Sequence, residues 1–158
     1  MNPIIYIILI TLIPALELRA SIPYGILVAK MNWIEVFIIC VLANFVLGIV
    51  VYFFMEEIVK IFTINKKIGK IWNKYVKKAQ KKIHPNIEKY GVWGVGIFIG
   101  IPLPGTGVYT AAVGSYFLGF EWKEWIVANA LGVIIAGIAV TAVVLSGSNG
   151  FEWVLTKL

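Results

Sequence analysis

The sequence predicts an all-α integral membrane protein: an inverted repeat of a re-entrant helical hairpin plus a transmembrane helix, with a cytoplasmic amphipathic helix between the halves. Three observations lead there. Of the 158 residues, 60% are hydrophobic, and the mean hydropathy of +0.90 lies above the range of ordinary soluble domains. Two apolar runs, 3–29 and 91–120, are interrupted by prolines, and each is followed by an apolar stretch long enough to cross a bilayer. The halves also match at an offset of 89 residues, pairing Gly25 with Gly114, Trp33 with Trp122, Glu35 with Glu124, Leu42 with Leu131, Gly48 with Gly137, Ile49 with Ile138 and Val51 with Val140.

A single helix over 3–29 would be about 40 Å long. Pro14 and Pro23 argue against it, because proline removes a backbone donor and disfavours helix at the residue before it. The spacing predicts two half-helices, 4–13 and 21–30, meeting near Glu17 in a hairpin over 3–30 whose tip lies inside the protein. Irregular backbone at membrane depth requires such shelter; a kinked full span is the alternative. Within this run stands Glu17-Leu18-Arg19-Ala20-Ser21-Ile22-Pro23, an acid and a base two residues apart and far from either membrane surface. An intramembrane ionisable pair marks a candidate functional site. The plainer reading is a buried ion pair that fixes helix packing. The amino end has no basic region before the apolar run and no small-x-small site after it, so it is expected to stay in the mature fold.

The first span covers 31–55, with Trp33 at its start as in an aromatic belt and Asn44 near its middle as helix-to-helix glue. From 56 to 90 the composition changes, and ten of the fourteen basic residues lie there. Ile61, Ile64, Ile68, Ile71, Trp72, Tyr75, Ala79 and Ile83 recur at helical steps, leaving lysines on the other face. That helix is expected to lie along the cytoplasmic membrane surface, with Lys66, Lys67, Lys70, Lys74, Lys77 and Lys78 towards anionic headgroups and Pro85 ending it. Flanking membrane segments argue for lipid rather than nucleic acid as the partner of this charge.

The second hairpin, 91–120, is broken by Ile101-Pro102-Leu103-Pro104-Gly105-Thr106-Gly107, which cannot continue a regular helix. Its second half-helix is expected to start near Thr106 as N-cap, leaving the amides of Gly105, Thr106 and Gly107 to face an anion. A plain proline-glycine turn would account for the loop taken alone. The matching start in the first hairpin is Ser21, with Pro23 in the first turn. The second span is 122–146, with Trp122 at its start and Asn129 inside, and a short tail, 151–158, follows. The whole reads as one membrane domain.

A hairpin returns to its own side and a span crosses, so the halves run in opposite directions, an arrangement typical of secondary transporters. Two full spans per half would instead give parallel repeats. Meeting hairpin tips would gather Glu17, Arg19, Ser21, Pro23, Pro102, Pro104, Gly105, Thr106 and Gly107 around a substrate. Arg19 would supply a permanent charge suited to phosphate or carboxylate, and desolvation would favour a neutral Glu17, so that it alternates between proton carrier and partner of Arg19. With one cysteine, Cys40 inside a span, one histidine, His84, and no aspartate, no disulfide framework, metal site or His-based triad can be assembled. No cofactor is expected. Nor is an enzyme, since no nucleophile stands beside a base.

Glu17-Leu18-Arg19-Ala20-Ser21-Ile22-Pro23-Tyr24-Gly25, with Pro102-Leu103-Pro104-Gly105-Thr106-Gly107, resembles the small multidrug export protein family over nearly the whole chain. That family is in turn distantly similar to the DedA superfamily, and the resemblance implies two opposed re-entrant hairpins and the flipping or scrambling of phosphate-bearing lipids. The chain departs from the DedA pattern in that 108–120 is uncharged, so Arg19 would act with backbone amides alone. The expectation is a multi-pass transporter of the cell membrane for an anionic, phosphate-headed lipid such as a polyprenyl phosphate or a phospholipid, with proton coupling through Glu17. The alternatives are export of small amphiphilic drugs and a non-transporting assembly or scaffold protein. A homodimer would seal the cavity of so small a transporter.

Overall fold

The computed structural model describes residues 2–63, 66–103 and 105–147, and all secondary structure among them is helical. Pro104, the tail 151–158 and the side chains of Lys66 and Lys67 lie outside the described residues.

Helix α1 (Pro3–Leu12) starts with proline at its first turn, under an Asn2 side chain that accepts the Ile4 amide at 3.0 Å. The chain then turns through Pro14, and α2 (Glu17–Pro23) begins at Glu17 rather than at Ser21. Pro23, expected in the first turn, instead ends α2. It has no N–H for the Arg19 carbonyl, and the wider π-helical stretch Tyr24–Val28 takes over from there. α2 returns along α1: the Thr11 and Ser21 hydroxyls meet at 2.8 Å and the rings of Tyr6 and Tyr24 at 6.0 Å. The run is thus a helical hairpin and not a kinked rod.

Two long helices form the frame. α3 (Trp33–Phe53) is capped by Asn32, and α8 (Trp122–Leu145) opens with a reciprocal Glu121–Glu124 capping box. Both are long and apolar enough to cross a membrane, with mean hydropathies of 2.8 and 2.4, and under half of either apolar window is buried. Leu42, Val46, Ile134 and Ile138 point outward, as they would towards lipid. The helices are antiparallel. Phe53 lies beside Trp122, Tyr52 stacks on Trp125 with ring centres 5.0 Å apart, and Gly137 meets Val41 and Phe37. Two side chains of α8 reach main-chain oxygens of α3, Trp125 Nε1 to Gly48 at 3.1 Å and Asn129 Nδ2 to Phe45 at 2.9 Å. Asn44, the expected glue, is buried, yet its Oδ1 has no partner among the described residues; Asn129 makes the interhelical bond instead.

The short helix α4 (Met55–Thr63) and the 25-residue helix α5 (Lys66–Tyr90) follow α3. Pro85 does not end α5, because the carbonyl it cannot serve belongs to exposed Lys81, where water can take its place. Trp72, Val76, Ala79 and Ile83 are buried, the last two against Gly114 of α7 (Val108–Phe117). Much of the apolar stripe of α5 is therefore spent on the protein and not on lipid. Ile68, Ile71 and Tyr75 remain exposed, as do Lys70, Lys74, Lys77 and Lys78.

α6 (Val92–Gly100) precedes the second break and lies along α8. Gly96 and Gly100 bring the backbones together at Gly132, a small-xxx-small contact that needs no polar attraction. The offset of 89 carries the starts of α1 and α3 onto those of α6 and α8. Packing is reciprocal, with α2 on α8 and α7 on α3.

A Cβ at Gly132 would stand 2.9 Å from the Gly96 carbonyl oxygen. Gly132→Leu is therefore expected to lower stability by about 1–3 kcal/mol, read as an earlier unfolding transition of the purified protein in micelles; an unshifted transition would refute close packing of α6 on α8.

Candidate functional site

The break in each hairpin leaves helix ends without intrahelical partners, and the site is built where those ends are closed. Ala15 and Glu17 have positive φ, 73° and 48°. Each costs about 1–2 kcal/mol for an L-residue. The Glu17 amide is held by the Ile13 carbonyl at 3.2 Å. This turn aims the Glu17 side chain at the start of α7, where its Oε2 accepts the Val108 amide at 3.1 Å. Gly107, the residue ahead of α7, has to lack a side chain, since a Cβ there would land on the Glu17 carboxylate.

Arg19, the only arginine in the chain, takes the other end of the break. Its Nη2 donates to the carbonyls of Ile101 at 3.1 Å and Ile99 at 3.4 Å, which close α6, and to Thr106 Oγ1 at 3.1 Å. Its Nη1 lies 3.3 Å from Glu17 Oε2. The pair is almost entirely buried, Glu17 with 1% and Arg19 with 3% of its surface exposed. The anion thus sits at the positive end of α7 and the cation at the negative end of α6. The reverse service is done by Tyr109, whose hydroxyl donates at 2.6 Å to the carbonyl of Leu12, the residue of α1 that corresponds to Ile101.

Glu17, Arg19, Thr106 and Gly107 therefore come together as expected, but their parts differ. Thr106 is not the N-cap of α7; its hydroxyl lies 2.6 Å from the Ile101 oxygen and 2.7 Å from that of Leu103, so it closes the loop and leaves capping to Glu17. Ser21 caps nothing. It bonds to Thr11 and, at 3.2 Å, to Cys40, and so pins α2 to α1 and α3. Pro23 is buried at the junction between α2 and the π-helical stretch. Pro102 lies just beyond α6, and Gly105, at φ 77°, turns its carbonyl to Lys82 at 3.4 Å. The loop tips are not the sheltered part: Leu12, Ile13, Ile101 and Leu103 are exposed, and the ion pair behind them is buried. Sequence reasoning missed Tyr109, Lys82 and the Ile99, Ile101 and Val108 main-chain groups. The backbone groups carry no side-chain signal, though Ile101 could have been found as the repeat partner of Leu12.

Two antiparallel apolar helices, a shell of outward-facing aliphatic side chains and a buried acid–base pair at broken helix ends define a helical membrane protein. The family model described as "putative small multi-drug export protein" matches residues 17–139, and the chain belongs to that family, whose description is that of a membrane exporter. No curated protein and no solved structure matches the chain.

Removing one partner of a buried pair strands the other. Arg19→Leu is expected to cost about 3–5 kcal/mol, and Glu17→Gln less, because the amide oxygen still accepts the Val108 N–H. The double variant should lose clearly less than the sum of the two, a coupling that thermal unfolding of all four forms would measure. Simple additivity would mean that the pair does not act as a unit.

Proposed function

We propose that the protein is a multi-pass transporter of the cell membrane, and no enzyme, that moves anionic, phosphate-headed lipids such as a polyprenyl phosphate or an anionic phospholipid. The observation that carries this reading is the Glu17 carboxylate itself, an internal anion held by Arg19 and the Val108 amide at the start of α7. A phosphate oxygen in its place finds a guanidinium, a helix N-terminus and the buried Nε of Arg19, which has no partner among the described residues. Displacement of Glu17 from Arg19 by the anion is the step through which transport would couple to a proton gradient. The fold supports the membrane arrangement. α1, α6 and α7 have nine or ten residues and are therefore about 15 Å long, half a bilayer. The antiparallel course of α3 and α8, which correspond in the repeat, favours halves inserted from opposite faces, as in DedA-like proteins. The exposed lysines of α5 then face the anionic cytoplasmic leaflet.

The family description favours a second reading, export of small amphiphilic drugs. A cationic drug needs Glu17 clear of Arg19, so Arg19→Ala would improve its export and abolish anion transport.

Liposomes with a fluorescent anionic lipid in both leaflets, challenged with an external reductant, test the proposal. Wild type is expected to expose the inner pool. Arg19→Ala should fall to the rate of protein-free liposomes, and Glu17→Gln should lose any response to an imposed pH gradient. Wild-type flux no faster than that of empty liposomes, with or without a pH gradient, would sink the lipid reading and leave drug export.

A further inference from the structure

Two openings lie between α5 and α7. One is an apolar chamber of about 330 Å³ behind the first hairpin tip, walled by Pro14, Met55, Trp72, Tyr109 and Val113. The other is a smaller recess of about 110 Å³ lined in part by Lys78, Lys82, Gly105 and Thr110. Tyr75 lines both. Its ring packs on Trp72 with centres 5.9 Å apart, and its hydroxyl lies 3.4 Å from Thr110 Oγ1, so this one side chain, 38% exposed, stands between the two spaces.

The chemistry of the recess is one-sided. Lys78 and Lys82 are one helical turn apart on the same face of α5, the hydroxyls of Tyr75 and Thr110 also line the recess, and no acidic side chain is among its described lining residues. Two ammonium groups suit a phosphate monoester, which carries close to two negative charges at neutral pH. The chamber is the reverse, with aromatic and aliphatic walls. Taking a methylene as similar in size to a water molecule, about 30 Å³, it holds on the order of ten carbons, enough for one alkyl chain. Charge complementarity at the mouth and apolar volume behind it define an amphiphile with a doubly charged head and a single tail. The position fits the ion pair, because Tyr109 of the chamber wall directly follows Val108, whose amide holds Glu17.

We propose that this cleft is a loading site for a single-chain alkyl phosphate, with the phosphate between Lys78 and Lys82 and the chain in the chamber behind Tyr75. The site rests on the transporter reading for its role, but not for its ligand chemistry. It narrows the substrate class to single-chain phosphates and makes Tyr75 the door through which the tail passes.

The test uses dodecyl phosphate with a photoreactive diazirine at its chain end, applied to the full-length protein in nanodiscs of zwitterionic lipid. Labelling is expected on Met55, Trp72, Tyr109 or Val113. Excess dodecyl phosphate should compete with it, and neither dodecyltrimethylammonium nor inorganic phosphate at the same concentration should. Lys78→Gln with Lys82→Gln, both at the surface, should lower labelling about tenfold, and Val113→Phe, which fills the chamber, should lower it further. Labelling that ignores the lysine pair, competes equally with the cationic amphiphile, or falls only on the lipid-facing sides of α1 and α3 would overturn the site. Lipid flux without chamber labelling would remove the loading site and leave the transporter reading in place. Labelling without flux would do the reverse.

Discussion

Every helix that stops inside an apolar medium leaves peptide groups that neither water nor lipid can satisfy, at several kilocalories per mole for each. The Glu17–Arg19 pair answers that constraint. Arg19 closes the carbonyl end of α6, Glu17 closes the amide end of α7, and both belong to the other hairpin. The second break is therefore closed by the first hairpin, and Tyr109 returns the favour at the end of α1. Burial of two charges, costly by itself, is offset here by their mutual attraction and by four further polar contacts on main-chain and hydroxyl groups. Glycine at 107 follows directly, because the carboxylate occupies the space that a side chain would need.

Around this junction the remaining contacts keep the long helices at fixed distances. α8 holds α3 by two side-chain bonds to main-chain oxygens and holds α6 by glycine contacts that bring backbones together. Between them these contacts set how far apart the two hairpins stand, and so whether Glu17 reaches Val108. The outward faces of α1, α3 and α8 stay aliphatic and take no part in that geometry. Function at the centre can then change without repacking the surface that meets lipid.

Much of this architecture could be read from the sequence, and the exceptions have a common cause. Pro14 marked the first break, Trp33 and Trp122 marked the starts of the long helices, and the offset of 89 anticipated the order of elements in the second half. The helix starts near the site were misplaced because capping rules look to neighbours in the chain. Thr106 looked like a cap, but the acceptor that serves α7 comes from 91 residues away. Likewise Ser21 looked like a start, whereas two residues in left-handed conformation let α2 begin at Glu17. Pro85 was expected to end α5, but its cost depends on whether water can reach Lys81, which no local pattern records.

The junction also limits what can move. A packing ion pair and a transport site are often treated as rivals, yet here one pair of side chains would serve as both, because Glu17 is at once a helix cap and the anion held by Arg19. On the transporter reading, displacing its carboxylate would remove the cap on α7 and the tie to Arg19 together, so the two hairpins would loosen at the same step that frees an anion site. A ligand with a single negative oxygen would replace Glu17 Oε2 on the Val108 amide and on Arg19 Nη1. One with several, in a phosphate geometry, would restore the cap and reach the unpartnered Nε of Arg19 as well. Selectivity for phosphate over carboxylate would then arise from the second contact, without a second arginine in the opposite hairpin.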